Sequence, residues 1–503
     1  MQVSIAGRQF IWVWAAALMT AGSLAMPHED VVCWVPEKDK GDYPWPMFGG
    51  SPGRNMVNAI EQNIPKEWCV QDGKRKNIKW MADLGDRSAG SPVVALGKVF
   101  VATNNRKSAK VHGRKAVLMA FRESDGQLLW QIAHDVPAHW YCFSGTLPST
   151  PAVADGNVYY VTFAGEVICA SADKGQIQWR YDMAKELGVY PYRDGCPAQV
   201  APTWSSPLVV GDRVFLSTGN GIDGEGKLQS PGAPSFVALD RRTGKPAWQS
   251  NLPGKNISEG AWSSPAYSAH GGRPQVIFAG GDGVIYSFAP ETGTLLWKCD
   301  CLPERKKRGK VETDNQFIST PVVVGDKLYV GLGFTGEREG PRWSYFLCLD
   351  ITKEGEVSLR SYDAKDAANR DSALVWAFGG PVKPQPERGR RVDFTRTRST
   401  AAVHQGLIYI TEELGYMNCL DAANGNRIWV YDLQTQISGS PYLVDDRVFV
   451  GTEDQDVVIF HHGRAAKIVA RIDMEEFIDT TPVAANGTLY IATRSKLYAI
   501  ASE

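Results

Sequence analysis

Several familiar signatures are missing from this chain. There is no Gly-x-Ser-x-Gly elbow, no His-Glu-x-x-His pair and no Gly-rich phosphate loop. Their absence removes the common signals of serine hydrolases, zinc proteases and P-loop NTPases. Histidine is scarce, eight in 503 residues, without ligand spacing; His461-His462 falls where a turn is expected. An excess of one charge is also lacking. Lys and Arg number 54 against 55 Asp and Glu, so nothing argues for nucleic acid as a partner. No stretch has the ~20 apolar residues of a membrane span. The run "FIWVWAAALM", Phe10 to Met19, is short. It follows Arg8 and precedes the small residues Ser23 to Ala25. That is the layout of a secretory signal over residues 1–25, with an uncleaved anchor as the alternative, so a periplasmic or secreted protein is expected. Cys33 follows Val32, a poor lipidation site. No transmembrane segment is expected in the mature chain, which is read as a monomer.

What the chain has is turns and repeats. Gly (50) and Pro (29) suit many short strands. A Ser/Thr-Pro step, an apolar run, a turn and another β-rich run recur. Copies start at Ser91, Thr150, Ser206, Ser264, Thr320, Thr400, Ser440 and Thr481, with Ala401 replacing Pro in the sixth. Each of the eight reads as two short strands joined by a hairpin turn. A second element follows most copies: a small residue, roughly Asp-x-x-Thr-Gly, three residues, then Trp. It gives Gly126–Trp130, Gly175–Trp179, Gly244–Trp248, Gly293–Trp297 and Gly425–Trp429. The fifth and seventh repeats read as lacking the Trp.

One such four-stranded unit cannot bury its own faces, so stacking units must supply the core. A Trp at a fixed register buries a large face between neighbours, and its indole N–H can reach a backbone carbonyl. Trp130, Trp179, Trp248, Trp297 and Trp429 are therefore read as blade-docking residues. The eighth copy lacks a fourth strand, and "NIKWMADLG" before the first copy is an orphan strand. Trp80 precedes Pro92 by twelve residues, as Trp429 precedes Pro441. The expectation is an all-β, eight-bladed propeller over residues 78–503, closed by the N-terminal strand. Trp80 would dock the last blade, and residues 26–77 would form an extension packed on the ring.

The motif Ala238-x-Asp240-x-x-Thr243-Gly244-x-x-x-Trp248 resembles that of the pyrroloquinoline quinone (PQQ)-type eight-bladed propellers. "WPMFGGSPGRNMV", Trp45 to Val57, resembles the leader of exported bacterial members. The resemblance implies two kinds of relative: quinoprotein dehydrogenases, and the non-catalytic propeller of outer-membrane assembly. It also implies that the Trp box docks blades and does not hold a quinone. The family's alcohol dehydrogenases carry adjacent cysteines that stack on the cofactor; this chain has none.

Nine cysteines are present. Cys169, Cys348 and Cys419 align with small in-strand positions and read as buried thiols. Cys33, Cys69, Cys142, Cys196, Cys299 and Cys301 fall in loops or at blade ends. Pairings Cys33–Cys69 and Cys142–Cys196 are candidates, while "CDC" at Cys299–Cys301 is too short for a haem box.

Propellers bind ligands at a central funnel. Three residues before each repeat's Pro stand Ala89, Pro148, Trp204, Trp262, Ile318, Arg398, Ser438 and Asp479. Trp204, Trp262, Arg398 and Asp479 are the candidate funnel residues, able to stack on and charge-pair with a planar anion. The bland alternative is that the Trp pair plugs the channel and the charges face water. Insertions at 104–115, 219–235 and 383–398 supply rim loops. Glu453, Asp454 and Asp456 sit in a hairpin turn and read as solvated, so no metal ligand is assigned.

Two functions follow. The preferred one is a binding or scaffold propeller of the periplasm or envelope, with a protein or polysaccharide partner. The alternative is a PQQ- and Ca²⁺-dependent dehydrogenase oxidising an alcohol or sugar, for which no catalytic residue is assigned.

Overall fold

A computed structural model describes residues 43–105, 115–136, 145–189, 204–221, 227–257, 262–303, 315–334, 342–382 and 393–502. The signal-peptide reading, Cys33, Cys142, Cys196 and most of the basic insertion at 104–115 lie outside them. Among the described residues, no helix is long and apolar enough to cross a membrane.

Eight antiparallel sheets account for nearly all the regular structure. Blade one holds Val93–Ala95, Lys98–Asn104, Lys115–Arg122 and Leu128–Asp135. Each of the next six blades follows the same hairpin order, inner to outer. In blade eight, Val483–Ala485, Thr488–Ala492 and Lys496–Ile500 are completed by Ile78–Asp83. There Trp80 lies opposite Ala499. The orphan strand therefore closes the ring, and no blade is left short of an outer strand. One short helix, Met183–Leu187, is capped by Asp182 and ended by Gly188 in the left-handed conformation.

The tryptophans sit at the junctions. Indole Nε1 of Trp80 donates to the Glu123 carbonyl at 2.8 Å, and that of Trp130 to Ala172 at 3.2 Å. Trp179 donates to Arg241, Trp248 to Pro290 and Trp429 to Gly463. Each acceptor belongs to the next blade. Trp297 uses a relay instead. It donates to Gln275 Oε1, whose Nε2 donates to the Ile351 carbonyl. The box glycine has a second duty beyond its turn. A Cβ on Gly126 would lie 2.5 Å from the Trp80 ring, and one on Gly244 would lie 2.6 Å from Trp179. Each such glycine is the floor on which the preceding blade's indole lies.

One reading needs correcting. The fifth blade does carry the tryptophan. Trp376 lies opposite Cys348, donates to the Ala422 carbonyl at 3.0 Å and rests on Gly425. An insertion, residues 351–373, separates it from the third strand, Arg342–Asp350, and hides the spacing. Part of that insertion, Gly355–Glu356, pairs in parallel with the outer strand of blade four. The seventh blade has Ala470 at this register, opposite Ile459. Ile64, Trp68 and Val70 from the N-terminal segment join the buried cluster that runs through blades six, seven, eight and one.

Candidate functional site

The Ser/Thr-Pro steps build the axis. The Ser91 amide donates to Thr150 Oγ1, Thr150 to Ser206 Oγ, Ser206 to Ser264 Oγ and Ser264 to Thr320 Oγ1. Farther round, Thr400 donates to Ser440 Oγ, Ser440 to Thr481 Oγ1 and Thr481 to Ser91 Oγ. Seven of the eight junctions thus carry one amide-to-hydroxyl bond, at 2.9–3.3 Å. A hydroxyl is needed because the innermost strand has no further strand to take its amide. Proline follows because its N–H is dispensable there.

On one side of this ring runs the segment Trp45 to Asn58. Trp45 exchanges two backbone bonds with Val94 of blade one, and Pro46 accepts from Val153 of blade two. Pro52 accepts from Tyr267 of blade four and Gly53 from Val323 of blade five. Asn55 brackets Val403 of blade six with its side-chain amide. Val57–Asn58 pairs in parallel with Tyr442–Val444 of blade seven, and Asn58 Nδ2 reaches Ala484 of blade eight. Blade three is reached by Arg54, whose Nη2 donates to the carbonyls of Ser206 and Pro207. Its Nε donates to Pro265 and its Nη1 to Phe48, each at 2.8 Å. The side chain is fully buried, and burial lowers its pKa to about 9. Carbonyl oxygens alone hold this cation in the contacts seen; no carboxylate pairs with it among the described residues. This segment makes a circuit of all eight blades and floors the channel.

The residues three before each proline form a second rank beside the hydroxyl belt. Asp479 is buried, 6% exposed, between Arg87 at 3.3 Å and Arg494 at 3.2 Å. Its Oδ1 has no hydrogen-bond partner among the described residues. Arg494 also stacks on Phe477, 4.2 Å from the ring centroid. Arg398 pairs with Glu413 at 2.5 Å, and Arg396 binds the same carboxylate. Arg398 keeps 43% of its side chain exposed. Desolvation lowers its pKa, while Glu413 and Glu453 oppose the shift. Ser438 donates to Glu453 at 2.6 Å. Arg398, Glu453, Asp479 and Arg87 thus follow one another in a polar arc over blades six, seven, eight and one. Trp204 and Trp262 occupy the same rank in blades three and four, each half-buried. Sequence reading missed Arg54, Arg87, Glu413 and Arg494. The last two follow second strands, two residues past Thr411 and Ala492, a register that repeat alignment marks.

A Ca²⁺-bound quinone would need several free oxygen ligands. Here Glu413 and Asp479 are held by guanidiniums and Glu453 by Ser438. No three His, Cys, Asp or Glu side chains converge on a metal position among the described residues. The donor set described does not fit that centre. Cys69 is a half-buried free thiol, and Cys169, Cys348 and Cys419 are buried. Burial raises the Cys169 thiol to about 11, leaving it inert.

Ring, hydroxyl belt and Trp junctions define an eight-bladed propeller of the PQQ-like class. The chain belongs to the family described as outer membrane protein assembly factor BamB, matched over residues 114–357 and 355–503. It is similar to the dehydrogenase subunit of the quinone-dependent alcohol dehydrogenase of Gluconobacter oxydans, 26% identical over 68% of this chain. It spans only 45% of that relative. It is 21% identical to assembly factor BamB of Shewanella oneidensis, covering 78% of this chain and 90% of the relative. Among solved structures, quinohemoprotein alcohol dehydrogenase ADHIIG of Pseudomonas putida HK5 superposes with a TM-score of 0.59 at 14% identity. That superposition covers 91% of this chain and 80% of the other, and shows the shared fold.

Proposed function

We propose that this protein is an exported binding propeller, a scaffold of the periplasm or cell envelope that holds a protein or polysaccharide partner. The observation that carries this reading is the state of the axial channel. One side is floored by the Trp45–Asn58 circuit, and the funnel carboxylates are committed to arginine or serine. Such a ring is rigid and largely bonded within itself, so its adaptable surface is the rim loops. The similarity to BamB over most of both chains supports an envelope role in the manner of an assembly factor. Trp80, Trp130, Trp179, Trp248, Trp297 and Trp429 act as structural docking residues in this reading. Trp204, Trp262, Arg398 and Asp479 line the funnel mouth.

The second reading, a quinoprotein dehydrogenase, draws on the Gluconobacter similarity and on Trp204, Trp262 and Arg398 sharing one rank. Titration with PQQ and Ca²⁺, followed by Trp fluorescence and melting temperature, separates the two. The scaffold reading expects no saturable change at high micromolar quinone. Saturable, Ca²⁺-dependent binding, weakened by Trp204→Ala and Trp262→Ala, would replace it with the dehydrogenase.

A further inference from the structure

We propose that Cys299 and Cys301 form a redox site, a dithiol that closes to an intrastrand Cys-Asp-Cys disulfide when a disulfide-bearing oxidant reaches the folding chain. The oxidising setting rests on the export reading above; the chemistry of the pair does not.

The two sulfurs lie 3.9 Å apart, and the Cys301 thiol also leans on the Cys299 carbonyl at 3.5 Å. Both residues are completely buried in the cluster between blades four and five. Their shared side follows from strand geometry, since residues two apart point the same way. The outer strand of blade four, Leu295–Asp300, ends between them. Cys301 is therefore outside the regular ladder, held by its amide to Gly283. A disulfide needs its sulfurs about 2.05 Å apart. Closing that gap requires rotation of both side chains.

The position matters for the fold. The Lys298 and Asp300 carbonyls accept the amides of Val357 and Leu359, and the Asp300 amide donates to Ser358 Oγ. The Cys301 carbonyl accepts from the Tyr362 hydroxyl at 2.9 Å. The Cys-Asp-Cys turn is thus the point where the blade-five insertion is fastened to blade four.

In the reaction, two S–H bonds break and one S–S bond forms. Two electrons and two protons pass to the oxidant disulfide, which leaves as two thiols. Burial makes closure an event of the folding chain, since neither sulfur is reachable once blade five has docked.

The test uses the full chain. Protein denatured in reductant is refolded in a mixture of oxidised and reduced glutathione, with Trp fluorescence as the check of refolding. It is then quenched in acid, unfolded, alkylated and digested with trypsin. Cleavage after Lys298 and Arg305 releases one peptide that carries these two cysteines and no other. The expected peptide is unalkylated and two hydrogens lighter than the dithiol. A doubly alkylated peptide, a glutathione adduct, or a cross-link to a peptide carrying Cys69, Cys142 or Cys196 would overturn the proposal. Protein purified from cells is mapped in parallel. A pair closed in the redox buffer but open from cells retires the export reading and leaves the redox site standing.

Discussion

Arg54 Nε donates to the Pro265 carbonyl at 2.8 Å, across 211 residues of sequence. The same guanidinium reaches Phe48, Ser206 and Pro207. One side chain therefore joins the N-terminal circuit to blades three and four. Arg54→Met would leave these carbonyls without a donor. The expected loss is on the order of 3–5 kcal/mol, read as a lowered urea midpoint. Arg54→Lys should recover only part, because an ammonium cannot fork to the same set. An unchanged midpoint in Arg54→Met would show that the axis does not depend on this cation.

Glycine at the docking box is tested by a matched pair. Gly425 (φ +73°) would place a Cβ 2.4 Å from the Trp376 ring, whereas Gly406 (φ +76°) would meet nothing within 4 Å. Both alanine variants pay for a left-handed residue, about 1 kcal/mol. Gly425→Ala should lose about 1–3 kcal/mol more, as the indole is displaced. Equal melting temperatures would mean that Trp376 is not seated on this turn.

The hydroxyl belt gives a smaller effect. Ser440→Ala removes the acceptor of the Thr400 amide and should cost about 1 kcal/mol. Ser440→Thr keeps the acceptor and should stay close to the parent in thermal unfolding.

His134 sets a pH dependence. Its ring hydrogen-bonds the Tyr160 hydroxyl at 2.8 Å, joining blades one and two, and is 7% exposed. Burial, and secondarily the Arg180 charge, lower its pKa to about 4. The unfolded value is about 6.5, so the native state binds fewer protons between the two. Its contribution is complete above pH ~6.5 and is lost as pH falls toward 4, on the order of 3 kcal/mol. His134→Gln keeps a hydrogen-bonding side chain without titrating there. Its urea midpoint should fall less than the parent's between pH 7 and 4.5.

Fold and site were legible to different depths. Eight repeats, the closing strand at Trp80 and the Trp junctions follow from local patterns that recur, because each blade solves the same packing problem. Trp376 escaped because residues 351–373 break the spacing on which the pattern rests. Arg54 escaped for another reason. Its partners at Ser206 and Pro265 are backbone carbonyls, which leave no mark on sequence, although a lone arginine inside "FGGSPGR" was the available hint. Arg398 and Asp479 could be placed by rank. Glu413 meets Arg398 within blade six and Arg494 meets Asp479 within blade eight, pairings set by how one blade's first two strands fold back, while Arg87 reaches Asp479 from blade one.

The N-terminal residues Trp45 to Asp83 bond to the innermost edge of every blade and to the outer edge of the last. In time, this inverts the order of the chain. The strand Ile78–Asp83 has no edge to join until Lys496–Ile500 exists. Trp45 to Gly53 can settle as blades one to five form, but Ile78–Asp83 must wait for Lys496–Ile500. Refolding should therefore show a late, slow phase that belongs to the docking of Ile78–Asp83.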